Sequence, residues 1–194
     1  CLTEPDEGLI FLDGQNVLSL QGKELQELRR NVGFVFQQFN LIARLTVLEN
    51  VMFHLVLDGM DAQEARVLGE LSLQRVGLAE TAERRPHELS GGQQQRGGIA
   101  RALVTNPKIM LWDEPTASLD PILVGEVLEV MEELVKGTGT TMVIVTHEVS
   151  FALRVADRIV FMDRGKVVEE GEPRKVFAQP KSEVGRLYKK LLVN

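Results

Sequence analysis

Ile109-Met110-Leu111-Trp112-Asp113-Glu114-Pro115 is the stretch that decides how this chain folds. Four apolar residues run without a break into two acids and a proline. An apolar run of that length reads as a buried strand, and the acids mark where it leaves the core. A buried strand ending in adjacent carboxylates delivers them to the carboxyl edge of a sheet, where open α/β folds bind ligands. Asp113 is suited there to a Mg²⁺, directly or through water, and Glu114 to orienting or deprotonating an attacking water in phosphoryl transfer. Two acids that simply end a strand at the surface would read the same way if taken alone.

Outward from that strand, short apolar runs alternate with longer helical patterns, the sequence form of an α/β fold with a parallel sheet. Residues 32–36, 142–146 and 159–162 are the other expected sheet strands. Residues 9–12 followed by Asp13-Gly14 read as a hairpin strand and turn, and residues 166–169 after Gly165 as another peripheral strand. Residues 121–136 place Leu123, Val124, Val127, Leu128, Met131, Leu134 and Val135 on one helical face, with Glu126, Glu129, Glu132 and Glu133 elsewhere. Between residues 46 and 77 two helical stretches succeed each other with no strand signal, as expected of a helical insert. The second opens at Asp61 with Glu64 three residues on, a carboxylate variant of the capping box, and ends at Gly77, a favourable left-handed cap. The tail, 181–194, sets Val184, Leu187, Tyr188, Leu191 and Leu192 on one stripe, which predicts a docked helix.

The composition narrows the classes. With 194 residues, 44% hydrophobic and 26% charged, the chain can bury a core and is too apolar for a disordered tail. A net charge of −6 argues against a nucleic-acid partner held by a broad basic face. The single cysteine, Cys1, leaves no intramolecular disulfide framework and fits a reducing compartment. No run approaches the ~20 apolar residues of a membrane span.

Three further places carry candidate chemistry. Leu89-Ser90-Gly91-Gly92-Gln93-Gln94-Gln95-Arg96 leads into a helix, and Ser90 with Gln93 has capping-box spacing. A cap does not need two glycines, which cost roughly 1 kcal/mol each inside a helix; they permit close backbone approach to an anion at the positive helix end, so phosphate binding is favoured. Gln37 follows the strand 32–36, where an amide oxygen can reach a metal or water, or be an ordinary loop residue. His147 follows the strand 142–146, where a neutral imidazole can hydrogen-bond a terminal phosphate, or be a polar helix start. Asp120 before Pro121 is explicable as an N-cap alone.

Taken in order, Gln37, the stretch 89–93, residues 109–114, Ser118-Leu119-Asp120 and His147 resemble the Q-loop, signature motif, Walker B motif, D-loop and H-loop of an ABC-type ATPase. The resemblance runs through nearly the whole chain. It implies a P-loop NTPase-like α/β core with a parallel sheet, a helical subdomain at about 45–103 and a partial antiparallel β-subdomain, in one domain over residues 1–194 that lacks its N-terminal portion. It also implies ATP and Mg²⁺ as cofactors, with Asp113 and Gln37 at the metal, Glu114 as base and His147 at the γ-phosphate. Ser90, Gly91, Gly92 and Gln93 would grip ATP held by a second copy in a head-to-tail dimer, with Asp120 linking across it.

Val35-Phe36-Gln37-Gln38-Phe39-Asn40-Leu41, Leu45-Thr46-Val47-Leu48-Glu49-Asn50-Val51, residues 120–130 and Val155-Ala156-Asp157-Arg158-Ile159-Val160-Phe161-Met162-Asp163 are similar to the ATP-binding subunits of bacterial importers for polar amino acids. That branch implies a peripheral subunit on the cytoplasmic face of the inner membrane, docked on transmembrane permease subunits and served indirectly by a substrate-binding protein. Phosphonate importers and lipoprotein releasers share much of the same text. DNA-repair members insert long coiled coils between Q-loop and signature, and the interval between Gln37 and Ser90 is too short for one.

Three departures stand out. A Walker A loop, Gly-x-x-x-x-Gly-Lys-[Ser/Thr], is not among the 194 residues. Cys1-Leu2-Thr3-Glu4-Pro5 resembles the segment downstream of that loop and its helix in intact members, which would place the lysine roughly five to ten residues before Cys1. Without that loop the chain is expected to bind ATP poorly, which keeps a non-catalytic remnant in view. Gly97-Gly98 stand in the signature helix where relatives carry larger residues, at a cost of about 2 kcal/mol relative to alanine. Trp112 precedes Asp113 where phenylalanine is more usual.

Overall fold

The computed structural model describes residues 5–193; Cys1 and the rest of Cys1-Leu2-Thr3-Glu4 lie outside them. Asp13 (φ 50°) and Gly14 (φ 77°) both take the left-handed backbone that a two-residue hairpin turn demands. They join strands β1 (Phe11–Leu12) and β2 (Gln15–Asn16) into an antiparallel pair. Helix α1 (Gly22–Arg30) then leads into β3 (Val32–Val35).

Two helices come next, as expected. Thr46 caps α2 (Val47–Leu57) in a full capping box with Glu49. Asp61 caps α3 (Ala62–Arg75) differently from expectation, its carboxylate accepting from both Gln63 and Glu64 amides at 2.9 and 3.2 Å. The Glu64 carboxylate makes no return bond to the Asp61 amide, so this is a simple aspartate cap in place of the reciprocal box. Gly77 (φ 68°) ends that segment in the left-handed conformation. Helix α4 (Gly91–Leu103) packs against α2 and α3.

The chain returns to the sheet as β4 (Ile109–Asp113), crosses over through α5 (Pro121–Gly137) and enters β5 (Thr141–Val145). Strands β3, β4 and β5 form a three-stranded parallel sheet in that order, with Val35 opposite Trp112 and Asp113 opposite Val145. Val35, Met110 and Trp112 turn into the core with Val127 and Met131 of α5 and Ile99 of α4. The other face stays open: Val143 and Val145 are 51% and 55% exposed. Trp112 is buried as expected, and its indole N–H has no hydrogen-bond partner among the described residues.

Helix α6 (Val149–Val155) leads to β6 (Ile159–Asp163), and here the sequence reading needs correction. The strand exists, but it pairs antiparallel with β7 (Lys166–Gly171) as a separate two-stranded sheet, not within the parallel one. An apolar run reports that a segment is extended; it does not report which neighbour completes its ladder, and Arg164-Gly165, both at positive φ, provide a hairpin partner only two residues away. The tail is likewise partly corrected. Helices α7 (Pro173–Ala178) and α8 (Glu183–Val193) close over a small cluster of Phe161, Val176 and Phe177, to which Val184, Tyr188 and Leu192 contribute. Leu187 and Leu191 are 55% and 69% exposed, because one narrow stripe of α8 suffices to cover so small a cluster.

Candidate active site

Strand β4 carries the acids where its sequence implies. Asp113 is its last residue and is exposed; Glu114 follows at φ 41°, with its amide donating to the Val145 carbonyl at 3.0 Å. Positive φ is uncommon for glutamate and costs of order 1 kcal/mol or more, so the backbone is held there by its surroundings. The turn aims the carboxylate across the sheet edge. Its Oε2 lies 3.4 Å from Nδ1 of His147, which sits two residues beyond the end of β5, and His147 Nε2 is 3.5 Å from Glu148 Oε1. Asp113, Glu114 and His147 thus share one edge because β4 and β5 are adjacent and in register.

The glycine-rich segment stands at the start of α4. Ser90 accepts from the Gln93 amide at 3.2 Å and its own amide donates to Gln93 Oε1 at 3.0 Å, closing the expected capping box. A Cβ on Gly91 would stand 3.4 Å from Leu119 and 3.6 Å from Phe39, and one on Gly92 3.4 Å from Leu123. These are ordinary contact distances, so packing alone does not require the glycines, and the backbone amides at the helix start are the feature they leave accessible. Asp120 occupies the N-cap position of α5 with Pro121 behind it, yet its side chain makes no capping bond. Capping thus does not account for this carboxylate.

Gln37 is exposed just beyond β3. The carbonyl before it, Phe36, accepts from Gln95 Nε2 at 3.1 Å, and the carbonyls of Phe39 and Asn40 accept from Arg101 at 3.3 and 2.5 Å. Gln95 and Arg101 went unread in the sequence, although Gln95 offers a signal: it lies four residues before Ile99 and seven before Ala102, on the apolar stripe of its helix, and it is fully buried. Burial pulls the Arg101 guanidinium below its usual range. Asn50, also fully buried, ties down the loop after Gln37 by binding both the amide and the carbonyl of Ile42. Gly98 acquires a reason as well: a Cβ there would come within 3.3 Å of the Phe39 carbonyl, so α4 is bare where this loop lies on it, whereas one on Gly97 would meet Leu41 at an ordinary 3.4 Å.

The donor set fits Mg²⁺ held with a nucleotide. Magnesium in such sites takes one or two carboxylates and completes its shell with phosphate and water. Asp113 would supply a carboxylate and Gln37 an amide oxygen; among the described residues no three acids, histidines or cysteines group into a cage of their own.

Known proteins resemble this chain in sequence and in backbone. Residues 1–117 match the ABC transporter family. The chain is 50% identical over 190 residues to the L-cystine import ATP-binding protein TcyN of Bacillus subtilis (strain 168), covering 96% of this chain and 73% of that protein. It is 52% identical over 179 residues to the glutamate transport ATP-binding protein GluA of Corynebacterium glutamicum, covering 92% and 73%. Among solved structures, the dimeric post-hydrolysis state of the ATP-binding cassette MJ0796 bound to ADP and Pi superposes with a TM-score of 0.77 at 40% identity, covering 90% of this chain and 77% of that one. CbiO1 from Clostridium perfringens, part of the ABC transporter complex cbiONQ, does so with a TM-score of 0.81 at 31% identity, covering 96% and 78%. Agreement this extensive, in sequence and in backbone alike, makes the chain a member of the ABC transporter family.

Proposed function

We propose that the chain is the ATP-binding and hydrolysing part of a bacterial ABC importer for polar amino acids. It works as a head-to-tail pair at the cytoplasmic face of the inner membrane, beneath transmembrane permease subunits that receive solute from a substrate-binding protein. Nucleic acid has no part in it. The importer branch rests on likeness: relatives named for cystine, glutamate, glutamine and arginine transport match at 48–52% identity. Phosphonate import and lipoprotein release are correspondingly less favoured. No helix among the described residues is long and apolar enough to cross a membrane.

The observation that carries the chemistry is the Glu114–His147 contact at the sheet edge. Glu114 takes the proton of a water aligned on the terminal phosphate, and His147 donates to the phosphate oxygen as charge builds there. Asp113 and Gln37 hold Mg²⁺, which when bound neutralises phosphate charge. Ser90, Gly91, Gly92 and Gln93 present a capped helix start to the nucleotide carried by the opposite copy, and Asp120 bridges the pair. A P-loop is not among these residues, so by themselves they grip ATP weakly.

The test joins the chain behind the P-loop strand and helix of a glutamine-transport relative and measures Mg²⁺-dependent ATP turnover. Glu114→Gln is expected to lower it at least 100-fold while nucleotide still drives dimer formation. Unchanged turnover would remove Glu114 from the role of base.

A further inference from the structure

Gln95, Gly98 and Arg101 are spaced three residues apart and lie along one face of α4. The loop that bears Gln37 rests on that face. Gln95 Nε2 holds the Phe36 carbonyl at 3.1 Å, and the two ends of the Arg101 guanidinium hold the Phe39 and Asn40 carbonyls at 3.3 and 2.5 Å. Between them the bare Gly98 lets the Phe39 carbonyl approach to where a Cβ would stand 3.3 Å from it. The main chain is therefore pinned on both sides of Gln37, while the Gln37 side chain itself is exposed. Asn40 takes positive φ (49°), which turns successive carbonyls toward the same guanidinium. Arg101 is half-buried and forms no ion pair with a carboxylate among the described residues; its fork is used on backbone oxygens.

We propose that Gln95 and Arg101 are positioning residues that lock the Gln37 loop to the helix beginning at Ser90, so that the metal-side amide and the phosphate-gripping helix start move as one body. The role rests on the ATP-site reading of Gln37 and Ser90 given above. Gln37 has two possible masters, the strand β3 that precedes it and the helix α4 beneath it. Three hydrogen bonds run to α4. Any rotation of α4 therefore carries Gln37 with it.

Distances between spin labels on the 194-residue chain, with Cys1→Ser to leave no native thiol, test the lock directly. One pair, Gln38→Cys with Leu71→Cys, reads the loop against the α2–α4 helices. A second, Leu71→Cys with Val143→Cys, reads those helices against the sheet. Arg101→Met is expected to at least double the width of the first distribution and leave the second unchanged. Arg101→Lys, which keeps the charge and donors but lacks the planar fork that spans both carbonyls, should fall between. Gln95→Met, which keeps the buried volume and deletes the amide, provides the same reading if Arg101→Met does not fold. A first distribution that stays as narrow as in the parent, or two that broaden alike, would overturn the proposal, the latter because it marks a general loosening of packing. No nucleotide is needed, so this outcome is independent of the Glu114→Gln turnover assay.

Discussion

Nδ1 of His147 stands 3.4 Å from Oε2 of Glu114, the two side chains arriving from the ends of neighbouring parallel strands. Their contact depends on strand register, and each presents its partner to the same small volume at the sheet edge. In the P-loop fusion, His147→Ala is expected to reduce kcat about 100-fold, the lower end for loss of a positioned proton-transfer group. Nucleotide affinity should change less than about threefold, because the grip on ATP lies on other elements. Steady-state turnover with a separate nucleotide-binding titration checks both numbers.

Ser90 holds two roles that substitution can separate. Its oxygen caps α4 and, in the proposed dimer, faces phosphate. Ser90→Ala should cost about 1 kcal/mol of stability through loss of the cap. Ser90→Asp keeps a capping oxygen and should stay within about 0.5 kcal/mol of the parent, since aspartate ranks with serine at this position. The added charge should nevertheless abolish nucleotide-driven dimerisation of the fusion. Urea unfolding and analytical ultracentrifugation, run on both variants, separate the two effects.

The paired glycines of α4 should respond oppositely. A Cβ on Gly97 meets Leu41 and Val47 at 3.4 and 3.5 Å, ordinary contact distances. Gly97→Ala is therefore expected to stabilise the chain by about 0.5–1 kcal/mol, the helix-propensity gain. On Gly98 the same methyl faces the Phe39 carbonyl at 3.3 Å, an oxygen already held by Arg101. Gly98→Ala should forfeit that gain by displacing the carbonyl. Denaturant midpoints of the two variants, measured side by side, give the comparison.

Glu169 makes the docking of α8 sensitive to acid. Its carboxylate accepts from the Lys181 amide at 2.9 Å and from the hydroxyl and amide of Ser182 at 2.6 and 2.8 Å, and these bonds hold it below its usual carboxylate range. A group whose folded-state pKa is depressed contributes stability that is present above its unfolded value and is lost as pH falls through the folded one. Docking of α8 should accordingly hold from neutral pH down to the ordinary carboxylate range and weaken below it. Tyr188, the chain's only tyrosine, stacks on Phe161 at 5.6 Å, and its near-ultraviolet circular dichroism reports the event. Glu169→Gln should remove this acid step and leave α8 less firmly docked at neutral pH.

Short spacing controls the features that are legible in the residues alone. The caps at Asp61 and Ser90, the Asp13-Gly14 turn and the strand-end acids at 113 and 114 depend on residues within four positions of one another. The features that escape such a reading depend on distant pairings. The partner of β6 is a matter of topology, and a run of apolar residues contains none. Gln95 reads as one more polar residue in a glutamine run because its partner, Phe36, is 59 positions away. Gly98 reads as a cost to the helix because the loop that needs its bareness lies far upstream.

The open face of the parallel sheet sets a rule for handling the isolated chain. β5 reads Thr-Met-Val-Ile-Val, with neither charge nor proline, and it ends the three-stranded sheet with its own Val143 and Val145 in solvent. An uncharged outer strand of this kind is a ready template for adhesion between molecules. Complexes zipped along β5 would grow with concentration, ignore nucleotide and persist in salt, whereas the proposed head-to-tail pair of the P-loop fusion must dissolve when ATP is withdrawn. Val143→Lys would suppress the first and spare the second, and so provides the background on which true pairing should be measured.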